Sequence, residues 1–240
     1  MKGQYFLSVV VVLVLASAGR TESAPAPTTG RTAVTGVVKF KGMPAKPVRI
    51  DMAADPYCAK THSSSAASTE DLLTDANGGL ENVVVFVSGG LEAATFPVPD
   101  EPVMMEQKGC QYKPHVLAMR AGQKLKVVND DATSHNIHPM PNNNREWNVS
   151  QPAGTPVEQV FAREEVAISV KCNIHPWMRS YIAVVKNPYF AVTDKNGAFE
   201  LKDLPPGEYT VQAWHEKLGT RTQKITVGAG ATKPVEFVFQ

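Results

Sequence analysis

The stretch Cys172-Asn173-Ile174-His175-Pro176-Trp177-Met178 decides how this 240-residue chain is to be interpreted, together with Ser134-His135-Asn136 upstream. These segments supply two imidazoles, one thiolate and one thioether. Cysteine, histidine and methionine at i, i+3 and i+6 can wrap one short loop around a single ion, while His135 completes the set from another strand. Trigonal His2Cys coordination with a weak axial Met is the geometry of blue copper sites. The sequence therefore predicts one copper ion held by His135, Cys172, His175 and Met178.

Other interpretations of these donors are weaker. Structural zinc usually takes four Cys or His ligands, and no second C-x-x-C or H-x-x-H pair lies near Cys172 to complete such a site. The two-copper centre of respiratory oxidases needs two bridging cysteines, and only one lies near His175. Cys172 and Met178 could instead be ordinary core residues, with both histidines at the surface. Four donors with matching spacing would then be a coincidence. His138 is not expected to be a ligand, because residues three apart on an extended segment point to opposite faces and His135 would face the metal.

The N-terminus has the pattern of an export signal. Lys2 precedes a mostly apolar run from Phe6 to Leu15, and Ala16-Ser17-Ala18 follows as a small-residue cleavage site. The run is too short to span a bilayer. We therefore expect a signal peptide at 1–18, a flexible lead-in at 19–31 and a periplasmic or secreted mature chain with no membrane span.

The chain has three cysteines, an odd count for an exported protein. Cys58 and Cys110 are the candidate disulfide, which leaves Cys172 for metal, and oxidising compartments favour such a bridge. Three buried free thiols, or a different pairing, remain open at this point.

Composition and local patterns favour an all-β protein. The 18 prolines and 17 glycines imply many turns, and no segment has a convincing helical period. Strands are expected at Lys124–Asn129 and Glu165–Lys171, so both metal-bearing stretches follow strand ends. Val34–Phe40 and Val48–Met52 are expected to form a hairpin around the turn that begins at Lys41.

Charge and motifs exclude several classes of function. A net charge of +1 provides no basic field for nucleic acid. The sequence has no phosphate loop, nucleophile elbow or H-E-x-x-H motif, so no enzyme is expected. His62, His115 and His215 could join Cys58 in a second metal site, but their separations match no compact ligand spacing.

The two metal-bearing segments resemble the cupredoxins, and the short gap from His175 to Met178 is most similar to that of amicyanin. The resemblance covers about residues 80–188 and implies a Greek-key β-sandwich. It also implies that His135, Cys172 and His175 are the strong ligands of a type 1 copper ion, with Met178 axial. Asn136 matches the family's asparagine that ties the two ligand loops together, whereas Ser134 replaces the usual proline.

The flanking segments resemble carboxypeptidase regulatory-like domains, which implies a small immunoglobulin- or transthyretin-like β-sandwich at 189–240. The matching motifs are Thr193-Asp194-Lys195-Asn196-Gly197-Ala198-Phe199 and Leu204-Pro205-Pro206-Gly207-Glu208-Tyr209. If the N-terminal β segment at 32–79 pairs with these C-terminal strands, the copper domain at 80–188 is inserted in that sandwich. If it does not, the domains are sequential.

Together these features predict a one-electron carrier that exchanges electrons with a redox protein such as a c-type cytochrome or a dehydrogenase. The cupredoxin resemblance implies that His175 reaches the surface as the electron port, within an apolar patch that includes Trp177. The alternative is a binding or assembly module in which the regulatory-like sandwich recruits a partner and copper is secondary or sensory. A catalytic copper site is less consistent with the sequence, because an axial Met178 would occupy the substrate's position.

Overall fold

The computed structural model describes Met1 and residues 32–43, 46–228 and 234–240. The expected signal peptide and lead-in lie outside the described residues, apart from Met1. The elements are β1 (Thr32–Phe40), α1 (Pro56–Thr61), β2 (Val84–Gly89), β3 (Val103–Gln107), β4 (Tyr112–Lys113), β5 (Val116–Arg120), β6 (Lys124–Asn129), β7 (His135–Met140), β8 (Val149–Gln151), β9 (Val157–Val160), β10 (Glu165–Lys171), β11 (Arg179–Val185), β12 (Phe190–Val192), β13 (Ala198–Leu204), β14 (Gly207–His215), β15 (Gly219–Val227) and β16 (Val235–Phe239). The all-β prediction is confirmed.

The strands form four sheets that pack as two sandwiches. We call the first the split sandwich; its sheets have the orders β13-β1-β16 and β12-β2-β14-β15. We call the second the inserted sandwich; its sheets have the orders β5-β11-β10-β7-β8 and β4-β3-β6-β9. Each has its own buried core, centred on residues such as Phe237 and Phe239 in the split sandwich and Met105 and Ile168 in the inserted one.

The split sandwich takes strands from both ends of the chain. β1 pairs antiparallel with β13 and parallel with β16, while β2 pairs antiparallel with β12 and β14. The sandwich formed by β3 to β11 is therefore an insertion between β2 and β12. The bounds of the inserted sandwich differ from the segment 80–188 expected for the copper domain. The first strand in that segment, β2, belongs to the split sandwich.

The predicted N-terminal hairpin is wrong. β1 has no hydrogen-bonded partner at Val48–Met52, where the structure shows only an isolated bridge between Arg49 and Ser68. The β1 edges are instead occupied by β13 and β16. Pro44 of the expected turn lies outside the described residues.

The two sandwiches share an apolar interface. In β2, Val85 and Val87 belong to the core of the split sandwich, whereas Val84 and Phe86 pack in a third buried cluster with Ala183 and Val185 of β11. Burial on both faces explains why these strands read as continuous apolar runs instead of alternating. The inserted sandwich is thus held against its host by side chains as well as by its two connections.

α1 was not predicted from the sequence. Asp55 accepts a hydrogen bond from the Cys58 backbone N–H as the N-cap, and Pro56 occupies the first helical turn, where its missing N–H is not needed. Within the described residues, no helix combines the length and apolar character that a membrane crossing requires.

Candidate metal centre

Three of the four predicted ligands converge at one buried point. The ligand atoms of His135, Cys172 and His175 all lie within 4.8 Å of one another. His135 Nδ1 and His175 Nδ1 are 2.8 Å apart, and Cys172 Sγ lies 3.8 Å from His175 Nδ1. None of these residues exposes more than 2% of its surface. Two imidazole nitrogens and a sulphur therefore face one small volume from which water is excluded.

Neighbouring strands bring these donors together. His135 is the first residue of β7, and β7 pairs with β10, which ends at Lys171 immediately before Cys172. The loop then turns tightly: Met178 N donates to His175 O at 2.9 Å, and Cys172 N donates to Met178 O at 3.2 Å. His175 N also donates to Cys172 Sγ at 3.4 Å. A rigid sheet thus holds both ligand-bearing segments in fixed positions.

Met178 completes the loop and is fully buried. It packs in the same core cluster as Cys172, and β11 begins at the next residue. Its backbone contacts close the turn that carries Cys172 and His175. Its role as axial ligand stays a prediction.

Asn136 links the two ligand segments. Its Oδ1 accepts the Asn173 backbone N–H at 2.5 Å, and its Nδ2 donates to Asn148 Oδ1 at 2.6 Å. The hydroxyl of Tyr112 donates to Asn136 O at 2.5 Å. The residue next to His135 is therefore tied directly to the residue next to Cys172.

Two carboxylates that the sequence analysis missed bind the outer nitrogens of the histidines. His135 Nε2 lies 2.9 Å from Asp131 Oδ2, and His175 Nε2 lies 3.1 Å from Asp55 Oδ2. Ionised carboxylates only accept hydrogen bonds, so both Nε2 atoms carry protons. A proton on Nε2 leaves the inward-facing Nδ1 as the metal-binding atom.

Signals for these carboxylates were present in the sequence. Asp55-Pro56 is an N-cap followed by proline, a typical helix start. Asp131 lies four residues before His135. Nothing in the sequence shows, however, that a helix 120 positions before His175 would fold over it.

The surroundings perturb the ligands electrostatically. Burial lowers the pKa of His135, but its contacts with Asp131 and Cys172 outweigh burial and raise that pKa to about 9. Burial raises the pKa of Cys172, but hydrogen bonds from His135 and from the backbone outweigh it, and the net pKa is lowered. Both shifts act in the direction of a thiolate beside a protonated imidazole, and the thiolate is the form that binds metal.

The remaining histidines lie outside the site. His138 points away, toward Glu146 at 2.6 Å and Asn173 at 3.3 Å. His62 Nε2 contacts Gly109 O at 2.7 Å, and His115 pairs with Glu216. The second site considered for His62, His115 and His215 is not assembled, because Cys58 is bonded to Cys110 with an S–S distance of 2.04 Å.

The expected exposure of His175 is wrong. Only 2% of its surface is accessible, because Asp55 at the start of α1 lies on its outer nitrogen and Trp177 packs beside its ring with centroids 5.0 Å apart. Ile174, 51% exposed, is the loop residue that reaches solvent. An electron port through the bare edge of His175, as the cupredoxin resemblance implied, does not exist in this structure.

The donor set suits a soft or borderline ion. A thiolate and two imidazoles match the preferences of copper, and the three residues are buried and closely hydrogen-bonded. Among the described residues, the set of converging donor atoms formed by His135, Cys172 and His175 includes no carboxylate oxygen. Asp55 and Asp131 instead act through the histidine rings. The residues present therefore fit copper.

Comparisons with known proteins give one family match and several similar structures. Residues 181–240 match the carboxypeptidase regulatory-like domain family. No curated protein sequence gives a match. A purple cupredoxin from Nitrosopumilus maritimus is 24% identical with a TM-score of 0.31, covering 35% of this chain and 99% of that chain. A reduced amicyanin variant is 18% identical with a TM-score of 0.33, covering 42% and 98%.

A copper-containing nitrite reductase from Thermus scotoductus is 21% identical with a TM-score of 0.35, covering 42% of this chain. The match spans only 25% of that enzyme. Residues 181–240 are similar to carboxypeptidase regulatory-like domains, and part of the chain is similar to cupredoxin structures.

Proposed function

We propose that this chain is an exported mononuclear type 1 copper protein that carries one electron at a time between redox partners, and that it is not an enzyme. The observation that supports this most directly is the convergence of His135 Nδ1, His175 Nδ1 and Cys172 Sγ in a buried site. Copper bound there would exchange a single electron by alternating between Cu(II) and Cu(I). We assign His135, Cys172 and His175 as the strong ligands and Met178 as the axial ligand.

The protein's contribution is rigidity. The histidines are held from behind by Asp131 and Asp55, and the loop is closed by backbone hydrogen bonds and by Asn136. A site that cannot rearrange changes little when its charge changes, which favours fast electron transfer. Burial of every strong ligand keeps the donor atoms out of contact with bulk water.

Location and partner form part of the same proposal. The Cys58–Cys110 disulfide is consistent with an oxidising compartment such as the periplasm or the extracellular space. The partner would be a redox protein, a c-type cytochrome or a dehydrogenase, and redox encounters of this kind use small, weak interfaces.

The visible and EPR spectra of the exported protein loaded with Cu(II), recorded before and after ascorbate, test this function. We expect a strong blue or purple thiolate-to-copper band with a narrow parallel hyperfine splitting, and reversible bleaching. A colourless protein, or ordinary tetragonal copper, would contradict the proposal. That result would favour the alternative, a binding module in which the regulatory-like sandwich recruits the partner.

A further inference from the structure

The cover over His175 has its own architecture. It consists of the segment from Asp51 to His62, which contains α1, lies between β1 and β2 in sequence and contributes no strand to either sandwich. The Cys58–Cys110 disulfide joins it to the inserted sandwich, and Tyr57 and His62 bind Asp131 Oδ1 at 3.4 Å and Gly109 O at 2.7 Å. The cover is therefore fixed at three points around the metal centre.

Asp55 is where the cover meets the metal loop. Its Oδ1 accepts the Cys58 backbone N–H at 3.0 Å, and its Oδ2 accepts Thr133 Oγ1 and His175 Nε2, both at 3.1 Å. These partners come from α1, from the approach to β7 and from the loop between β10 and β11. A carboxylate with this many partners has a fixed position. Its hydrogen bond with Nε2 therefore fixes the orientation of the His175 ring.

His135 has a matching carboxylate on its outer nitrogen. Asp131 binds His135 Nε2 and is itself fixed by the backbone N–H groups of Gly109 and Cys110, both at 2.7 Å. The two rings thus lie in one continuous chain, Asp131–His135–His175–Asp55, and only Nδ1 atoms face inward. Hydrogen bonds from metal-binding histidines to carboxylates orient the ring and raise its basicity.

We propose that Asp55 is a positioning residue of the metal centre, which orients His175 Nδ1 toward Cys172 and covers the ring edge that would otherwise give access to the metal. This inference rests on the proposed copper function. It assigns a role to α1 and its flanks, which contribute no strand to either sandwich but pack Met52 and Cys58 into the core cluster that contains Cys172 and Met178. It also means that an electron enters or leaves by a route other than the outer edge of His175.

The substitution Asp55→Ser separates this role from helix capping. Serine is a good N-cap, so the hydrogen bond to Cys58 N can be kept, whereas its short side chain cannot also reach His175 Nε2. Asp51→Ser is the matched control, because Asp51 is an exposed carboxylate of the same segment whose Oδ1 accepts the Ala53 N–H at 3.0 Å. Asp55→Asn is a second variant of nearly the same shape, for use if the serine variant does not fold.

The first readout needs no copper. Long-range ¹H–¹⁵N NMR of the metal-free protein should show His175 as the Nε2–H tautomer in the wild type and in Asp51→Ser. In Asp55→Ser we expect a mixture of tautomers or exchange broadening at His175. An unchanged His175 tautomer and line shape in the folded variant would overturn the positioning role.

The second readout is the retention of Cu(II) in the presence of a chelator. Loss of the thiolate-to-copper band reports the release of copper. Loss of such a carboxylate typically weakens metal binding about 10–100-fold, so Asp55→Ser should release copper correspondingly more readily, while Asp51→Ser should match the wild type. If the wild type shows no such band, the copper function fails. If it does and Asp55→Ser retains copper as well as the wild type, only the role of Asp55 fails.

Discussion

His135 Nδ1 and His175 Nδ1 lie 2.8 Å apart although 40 positions separate the residues. Two unprotonated nitrogens would repel at this distance, so in the metal-free protein one proton lies between them. The raised pKa of His135 makes that ring the donor. His135 Nδ1 and His175 Nδ1 would both bind copper, and metal binding would displace this proton.

The first prediction distinguishes the two histidines of β7. His135→Gln should abolish the blue spectrum, because it removes a strong ligand. His138→Gln should leave the spectrum unchanged, because His138 faces Glu146 and Asn173. Visible spectra of both copper-loaded variants check this. Loss of colour in the His138 variant would show that the strand is turned differently.

Cys172→Ser should remove the thiolate-to-copper charge-transfer band entirely. The hydroxyl oxygen that replaces the sulphur cannot give that transition. Absorption and EPR spectra at equal copper loading provide the measurement. A serine variant that remained blue would eliminate Cys172 as a ligand.

Met178→Gln should lower the reduction potential, because a harder oxygen donor favours Cu(II). The side chain is fully buried, and glutamine is similar in length, so the fold should be retained. A spectroelectrochemical titration measures the potential. An unchanged value would place Met178 among the core residues and outside the coordination sphere.

Removing the disulfide should destabilise the protein. The bridge joins residues 52 positions apart, and loss of a bridge of this kind costs about 2–4 kcal/mol of unfolding free energy. Urea unfolding of the Cys58→Ala/Cys110→Ala variant should show this, with Cys172→Ala as a control that keeps the bridge. Equal unfolding free energies for the wild type and the double variant would be the contrary result.

His215 should make the protein less stable in acid. It is 1% exposed, and burial lowers its pKa to about 4, from 6.5 in the unfolded chain. Between these values the unfolded chain binds a proton that the folded chain does not. Its contribution, on the order of 3 kcal/mol, is therefore present above about pH 6.5 and is lost as pH falls toward about 4.

The measurement compares metal-free wild type with His215→Asn, whose side-chain oxygen can replace Nδ1 as acceptor for the Lys217 N–H. The unfolding free energy should decrease less between about pH 7 and about pH 4.5 in the variant than in the wild type. Nearby His115 has the opposite sign: burial lowers its pKa, but Glu216 outweighs burial and raises it. Because His115 is present in both proteins, its effect largely cancels in the difference.

The ligand-bearing strands were predictable because their signals are local. β10 was expected at Glu165–Lys171 and has those bounds, and β6 likewise has the expected bounds Lys124–Asn129. The all-β class followed from turn residues and β-branched runs. Both depend on neighbouring residues, which a sequence displays directly.

Long-range relations were harder to predict. The segment Val48–Met52 has strand-like composition, but both edges of β1 are taken by strands from the other end of the chain. The buried state of His175 depends on a six-residue helix that no periodicity could indicate at that length. The continuous apolar run of β2 indicates that both faces of this strand are buried. It does not indicate which parts of the chain cover the two faces.

The inserted sandwich is attached to its host at two neighbouring points. β2 and β12 are antiparallel neighbours, with Phe86 opposite Phe190, so the backbone departs and returns at adjacent points of one sheet. Topologically, the whole inserted sandwich is the loop of a β-hairpin. Its two closely spaced tethers, together with the apolar contact of Val84 and Phe86 with β11, restrict how far the inserted sandwich can swing against its host.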